Sequence, residues 1–133
     1  MVFTGLCLIT EDLSRLVAFY SHVLNTTFTG DEVHAEAVLE GACFAIYARQ
    51  SCQAQMGFEP SAGLGTGNVT LMFRVNDVDG EYRRILPYLE RVLTTPKTHP
   101  WGARAFHFMD PDGNIVDFLC PGGPQWIPPT TMS

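Results

Sequence analysis

The stretch Trp101–Leu119, WGARAFHFMDPDGNIVDFL, decides how this chain folds. Asp110-Pro111-Asp112-Gly113 reads as a tight turn: proline fixes φ at its second position, and glycine takes the positive φ that closes it. On either side the sequence alternates with period two, as a strand does. Phe106 and Phe108 fall on one face, His107 and Met109 on the other. Val116 and Phe118 fall on one face, Ile115, Asp117 and Leu119 on the other. The face of Phe106, Phe108, Val116 and Phe118 is apolar enough to lie under a helix. The opposite face carries His107 and Asp117, the ionisable groups of these two strands apart from Arg104 at the entry. An apolar back and a front holding two polar groups describe one wall of a pocket.

Working outward, the rest of the chain supplies the other walls. Val2–Ile9 reads as a strand. Asp12 caps a helix in which Leu13, Leu16, Val17, Tyr20, Val23 and Leu24 recur at spacings of three and four. Short strands follow near 26–30, 33–40 and 42–49, and residues 50–67 read as one long connection. Asn68–Val75 is a strand with Thr70, Met72 and Arg74 on one face. Asp77 caps a second helix through Val78, Tyr82, Ile85 and Leu89, and strands near 91–96, 103–109 and 114–120 complete the pattern. The order strand, helix, three strands therefore occurs twice. An offset of 65 residues lays Asp12 on Asp77 and Gly5 on Thr70; beyond the helix an offset of 72 lays Gly41 on Gly113 and Ala45 on Asp117.

Composition narrows the function classes. At 133 residues the chain is one domain or two small modules sharing a core. A net charge of −6 without a basic run argues against nucleic acid. The opening MVFTGLCLITEDL lacks the basic segment of a signal peptide, and no apolar run has the length of a membrane span. Cys7, Cys43, Cys52 and Cys120 form neither a CxxC nor a zinc-like spacing, which suits reduced thiols in a cytoplasmic protein.

The doubled βαβββ pattern, the helix LSRLVAFYSHVL after a strand ending in TED, and the hairpin PWGARAFHFMDPDGN resemble the glyoxalase/bleomycin-resistance/dioxygenase (vicinal oxygen chelate) superfamily over roughly residues 3–120. The resemblance implies an α+β fold of two βαβββ modules, with helices outside a cupped sheet, usually in a homodimer. The modules would be 1–49 and 68–120, joined by a 50–67 linker and followed by a 121–133 tail, all one integrated domain. Metal-using members place His, Gln or Glu on the first and last strands of each module. The matching positions here are Gly5, Ala45, Thr70 and Asp117. Glycine and alanine offer no donor and threonine a poor one, so neither a metal nor another cofactor is expected.

Superposing the modules places Cys7, Tyr47, Ala35, Ala37 and Ala45 on the pocket side of the first, and His34 and Glu36 on its outer face. From the second module come Thr70, Met72, Arg74, Ala105, His107, Asp117 and Leu119, with Trp101 at the rim. The many small residues leave room for a ligand. His107 and Asp117 have a structural reading, a half-buried pair that orders the sheet, beside a ligand-binding one. The leading functional expectation is a metal-independent small-molecule binding protein, similar to the drug-sequestering resistance members, whose ligand is antibiotic-like, cationic or aromatic. The rival is a lyase, isomerase or dioxygenase-type enzyme, with or without a non-standard metal site, in which His107 is the acid/base, Asp117 orients it and Arg74 holds an anionic substrate. A third option is a dimeric interaction module with a vestigial cavity. The expected partners are a small molecule and a second copy of the chain, with neither nucleic acid nor membrane.

Overall fold

Asp12 starts the first helix. Its carboxylate accepts from the Arg15 N–H at 3.1 Å, which satisfies one of the donors that a helix start leaves open. The helix α1 (Leu13–Val23) turns Leu16, Tyr20 and Val23 inward. Three strands follow it and one precedes it: β1 (Gly5–Thr10), β2 (Thr29–Gly30), β3 (His34–Leu39) and β4 (Ala42–Ala48). They form one sheet of order β1-β4-β3-β2, in which β1 runs parallel to β4 and the other neighbours are antiparallel. Tyr20 meets Phe44 of β4 with ring centroids 4.8 Å apart, so the helix packs on one face of this sheet. The computed structural model describes residues 1–60 and 69–122, in two compact units, Met1–Thr66 and Gly67–Ser133.

The second unit repeats the plan with its own sheet. Asp77 accepts from the Gly80 N–H at 3.1 Å and opens α3 (Val78–Ile85). The strands β5 (Thr70–Arg74), β6 (Val92–Thr98), β7 (Ala103–Met109) and β8 (Ile115–Pro121) take the order β5-β8-β7-β6, the same order as the first sheet. Phe106, Phe108, Val116 and Phe118 are buried, as are Val78 and Ile85 of α3. Phe118 lies 5.5 Å from Phe106 and 5.3 Å from Phe108 between ring centroids, and Tyr82 of α3 lies 5.1 Å from Phe106. Truncating one such phenylalanine to alanine costs about 3–5 kcal/mol, so the helix-side face of the hairpin holds this unit together. Arg104, on the same side, forks onto Asp79 of α3 with bonds of 2.7 and 2.8 Å.

The hairpin turn is tied by its first residue. Asp110 is buried, and its Oδ1 accepts from the N–H groups of Asp112 and Asn114, each at 2.9 Å. Gly113 donates back to the Asp110 carbonyl at 3.0 Å and takes φ +86°. Gly41, its counterpart by the repeat, takes φ +85°.

Three expectations need correction. The second helix does not continue to Leu89: it gives way at Leu86–Tyr88 to a 3-10 turn, because Pro87 cannot donate to a helical carbonyl. The stretch after β4 is not wholly loop. Arg49–Ser51 is a 3-10 turn and Cys52–Met56 forms a short helix, α2, with Cys52 buried and Gly57 closing it at φ +81°. Residues 61–68 and the tail from residue 123 lie outside the described residues.

The third correction concerns faces. The register pairs Glu36 with Ala45 and His107 with Asp117. The β7–β8 turn is therefore one residue longer than the β3–β4 turn, and Glu36, not Ala35, is the counterpart of His107. A slip of one residue moves every side chain of a strand to the other face. Ala35 and Ala37 pair with Ile46 and Phe44 and are buried on the helix side. His34 and Glu36 share the opposite face with Cys43, Ala45 and Tyr47.

Candidate functional site

The sequence-predicted pair His107 and Asp117 sits where β7 and β8 are directly opposite. On the other flank of β7, β6 departs from regular register at Thr94. The His107 N–H therefore donates to the Thr94 hydroxyl, at 2.8 Å, rather than to a ladder carbonyl. The same oxygen lies 2.8 Å from His107 Nδ1. One assignment satisfies all these groups: the hydroxyl accepts from the backbone and donates to Nδ1, which puts the ring proton on Nε2. Nε2 faces Asp117, 3.7 Å from its Oδ2.

That separation is an ion-pair distance and too long for a hydrogen bond. The other oxygen, Oδ1, is buried and has no hydrogen-bond partner among the described residues. The Asp117 side chain is 14% exposed. Burial pushes its pKa above the ordinary carboxylate value, while His107 and His99 pull the other way. A carboxyl group that is mostly buried yet short of donors is costly to the fold and calls for a partner.

An aromatic slab stands in the turn between β6 and β7. His99 donates to the Ala103 carbonyl at 2.8 Å and Gly102 to the His99 carbonyl at 2.9 Å, which closes a tight turn. Within it the His99 and Trp101 rings stack at 4.4 Å with 4° between planes. His99 lies 6.5 Å from the His107 ring, and Trp101 is 65% exposed.

Register places the remaining predicted residues of this unit on the same face. Met72 pairs with Asp117 and Arg74 with Leu119; Ala105 pairs with Leu119 and Lys97 with Ala105. Thr70 opens β5 opposite Ile115. Arg74 makes no ion pair with Asp117 among the described residues; the charge partners of that carboxyl are histidines.

Cys7 and Tyr47 belong to the first sheet, where Cys7 pairs with Ala45. Burial raises the Cys7 thiol pKa, with Cys52 and Cys43 adding to it, so this is not an activated nucleophile. The Tyr47 hydroxyl donates to Gln55 of α2, and its ring lies 5.5 Å from His34. Cys43 donates to Glu36 at 3.5 Å.

Residues 3–118 match the family model of the glyoxalase/bleomycin resistance protein/dioxygenase superfamily. The chain belongs to that superfamily. No curated protein matches it. Among solved structures, a glyoxalase/bleomycin resistance protein/dioxygenase from Nocardioides is 23% identical, with a TM-score of 0.81 over 99% of this chain and 90% of the other. A protein of unknown function from Agrobacterium tumefaciens is 26% identical, with a TM-score of 0.74 over 90% and 93%. A family enzyme from Burkholderia phytofirmans is 15% identical, with a TM-score of 0.76 over 90% and 98%. These likenesses establish the two-module fold. No helix among the described residues is long and apolar enough to cross a membrane.

The superfamily's metal positions do not fit a divalent ion in this chain. Gly5 has φ +152°, and a Cβ there would stand 2.0 Å from the Cys43 carbonyl oxygen. A side chain at the first position would therefore force the backbone of β1 or β4 to move, and glycine itself offers no donor. Ala45 has no donor, and Thr70 is a weak one. Among the described residues no group of three His, Cys, Asp or Glu is placed to hold an ion.

Thr94 and His99 are the residues that sequence reasoning missed. Neither stands out in a strand pattern, since Thr94 is one of two adjacent threonines and His99 follows the strand's end. The one available signal was the run His99-Pro100-Trp101-Gly102, a turn that brings two rings together.

Proposed function

We propose that this superfamily member is a metal-independent small-molecule binding protein, and that its ligand lies on the face of the second sheet turned away from α3. The observation that carries the reading is the juxtaposition of an exposed, stacked Trp101–His99 slab with a mostly buried Asp117 carboxyl lacking donors. A flat ligand supplies the missing ring contact and the missing hydrogen bonds together. The binding residues are Trp101, His107, Asp117, Met72, Arg74, Thr70, Ala105 and Leu119, now joined by Thr94 and His99. Cys7 and Tyr47 belong to a corresponding face of the first sheet. Sequestration of a drug-like molecule asks for affinity alone, which suits a site with no metal donors. The protein is read as a cytoplasmic homodimer, its four cysteines free.

A second reading has its own support. The Thr94 hydroxyl fixes the His107 ring, with Nε2 turned toward the Asp117 carboxyl. That pair is suited to acid/base work in a lyase or isomerase. Thermal stabilisation screened against divalent metals and a small-molecule panel separates the readings, since a specific ligand stabilises by mass action. Stabilisation by an aromatic compound that is recovered unchanged, and that requires Trp101, supports binding. Turnover lost in His107→Ala supports the enzyme, and one dialysis-resistant metal per chain overturns the metal-independent reading.

A further inference from the structure

Charge on this face is unevenly distributed, and its arrangement names a ligand class. We infer that the second sheet takes a flat aromatic carboxylate, with its ring against Trp101 and its acid group over Ala105 between Arg74 and Lys97. The inference rests on the small-molecule reading above and adds the sign of the ligand's charge.

The register sets Arg74, Leu119, Ala105 and Lys97 in one row across all four strands. Strands are about 4.8 Å apart, so the two cations stand about 14 Å apart at their backbones, a span that two long side chains close over a small group. The residues between them are a leucine and an alanine, which leave the middle of the row open. Neither cation has an ion-pair partner among the described residues. Arg104, by contrast, is committed to Asp79 on the helix side.

The next row, about 7 Å along, holds Met72, Asp117, His107 and Thr94. Among the described residues of these four strands, Asp117 is the single carboxyl group on the face; His107 and His99 stand against it, and Arg91 precedes β6 at the far end. In a chain with eight Lys and Arg against fourteen Asp and Glu, this grouping reverses the overall sign. Burial also lets Asp117 keep its proton to higher pH than an ordinary aspartate. A protonated carboxyl group donates to a ligand oxygen, where an ionised one would repel it. Lowering the pH toward that raised value therefore strengthens binding of an anion by neutralising Asp117.

The test uses three probes of one shape: 2-naphthoate, 2-naphthamide and 2-naphthamidine. Each is titrated by calorimetry and by the NMR signal of the Trp101 indole, at pH 6 and pH 8. The expected result is naphthoate at least tenfold tighter than naphthamidine at both pH values. The Arg74→Gln/Lys97→Gln double variant, checked for an unchanged melting temperature, should lose that margin and still bind naphthamide. Equal affinities, a preference for naphthamidine, or a naphthoate preference that survives in the double variant overturns the charge assignment and leaves the site standing. If none of the probes binds or moves the Trp101 signal at millimolar concentration, the site reading falls with it.

Discussion

Replacing Thr94 by valine tests the geometry on which the site depends. The change keeps the shape and deletes one hydroxyl, and that hydroxyl serves two partners, the His107 N–H and His107 Nδ1, both at 2.8 Å. A net intramolecular hydrogen bond is worth about 0.5–1.5 kcal/mol. Thr94 is exposed, so water replaces part of what is lost. The expected cost is about 1–2 kcal/mol, or a fall in melting temperature of about 3–8 °C for a domain of this size. Stability alone does not prove the point. The second measurement is the tautomer of His107, read from its imidazole nitrogen shifts. In the native protein the proton should sit on Nε2; in Thr94→Val the ring should populate both tautomers. Thr94→Ser should restore the native spectrum, because it restores the oxygen. A valine variant that melts normally and keeps Nε2 protonated would refute both the tautomer assignment and the positioning role of Thr94.

Asp117→Asn should change stability in a pH-dependent way. The folded-state pKa of Asp117 is raised, so its contribution is fully present below the ordinary carboxylate pKa and is lost as pH rises through the raised value. Asparagine does not titrate there, so the variant should match the native protein in acid and exceed it in urea midpoint at neutral pH. A variant less stable at pH 7 would mean that the His107 ion pair outweighs the burial. Gly5→Ala should cost on the order of 3 kcal/mol or more, since the new Cβ meets the Cys43 carbonyl at 2.0 Å; a normal denaturant midpoint would show that β1 shifts freely. Asp110→Ala removes three acceptor contacts from a buried turn, two to backbone N–H groups and one of 2.7 Å to the Asn114 amide. About 2–4 kcal/mol should be lost, and a loss under half a kilocalorie would show that the turn is held by its proline and glycine.

Much of the fold was legible because it rests on local rules. Alternation assigned Phe106, Phe108, Val116 and Phe118 to one face and His107 with Asp117 to the other. Asp12 and Asp77 announced their helices, and Asp110 to Gly113 announced the turn. The repeat register between first and last strands was also readable: Cys7 lies opposite Ala45 as Met72 lies opposite Asp117. The inward face of β3 was not readable, because a difference of one residue in turn length between the hairpins flips a whole strand and leaves no mark on its composition. Nor were Thr94 and His99 readable as partners of the site. Thr94 serves His107 only because β6 bulges there, and His99 meets Trp101 only because the turn closes on itself. Alternation and capping act between residues near in sequence, so the chain itself displays them. Which hydroxyl meets which imidazole, and which carboxyl is left without a donor, is fixed by pairing distant strands, and only the tertiary structure decides that.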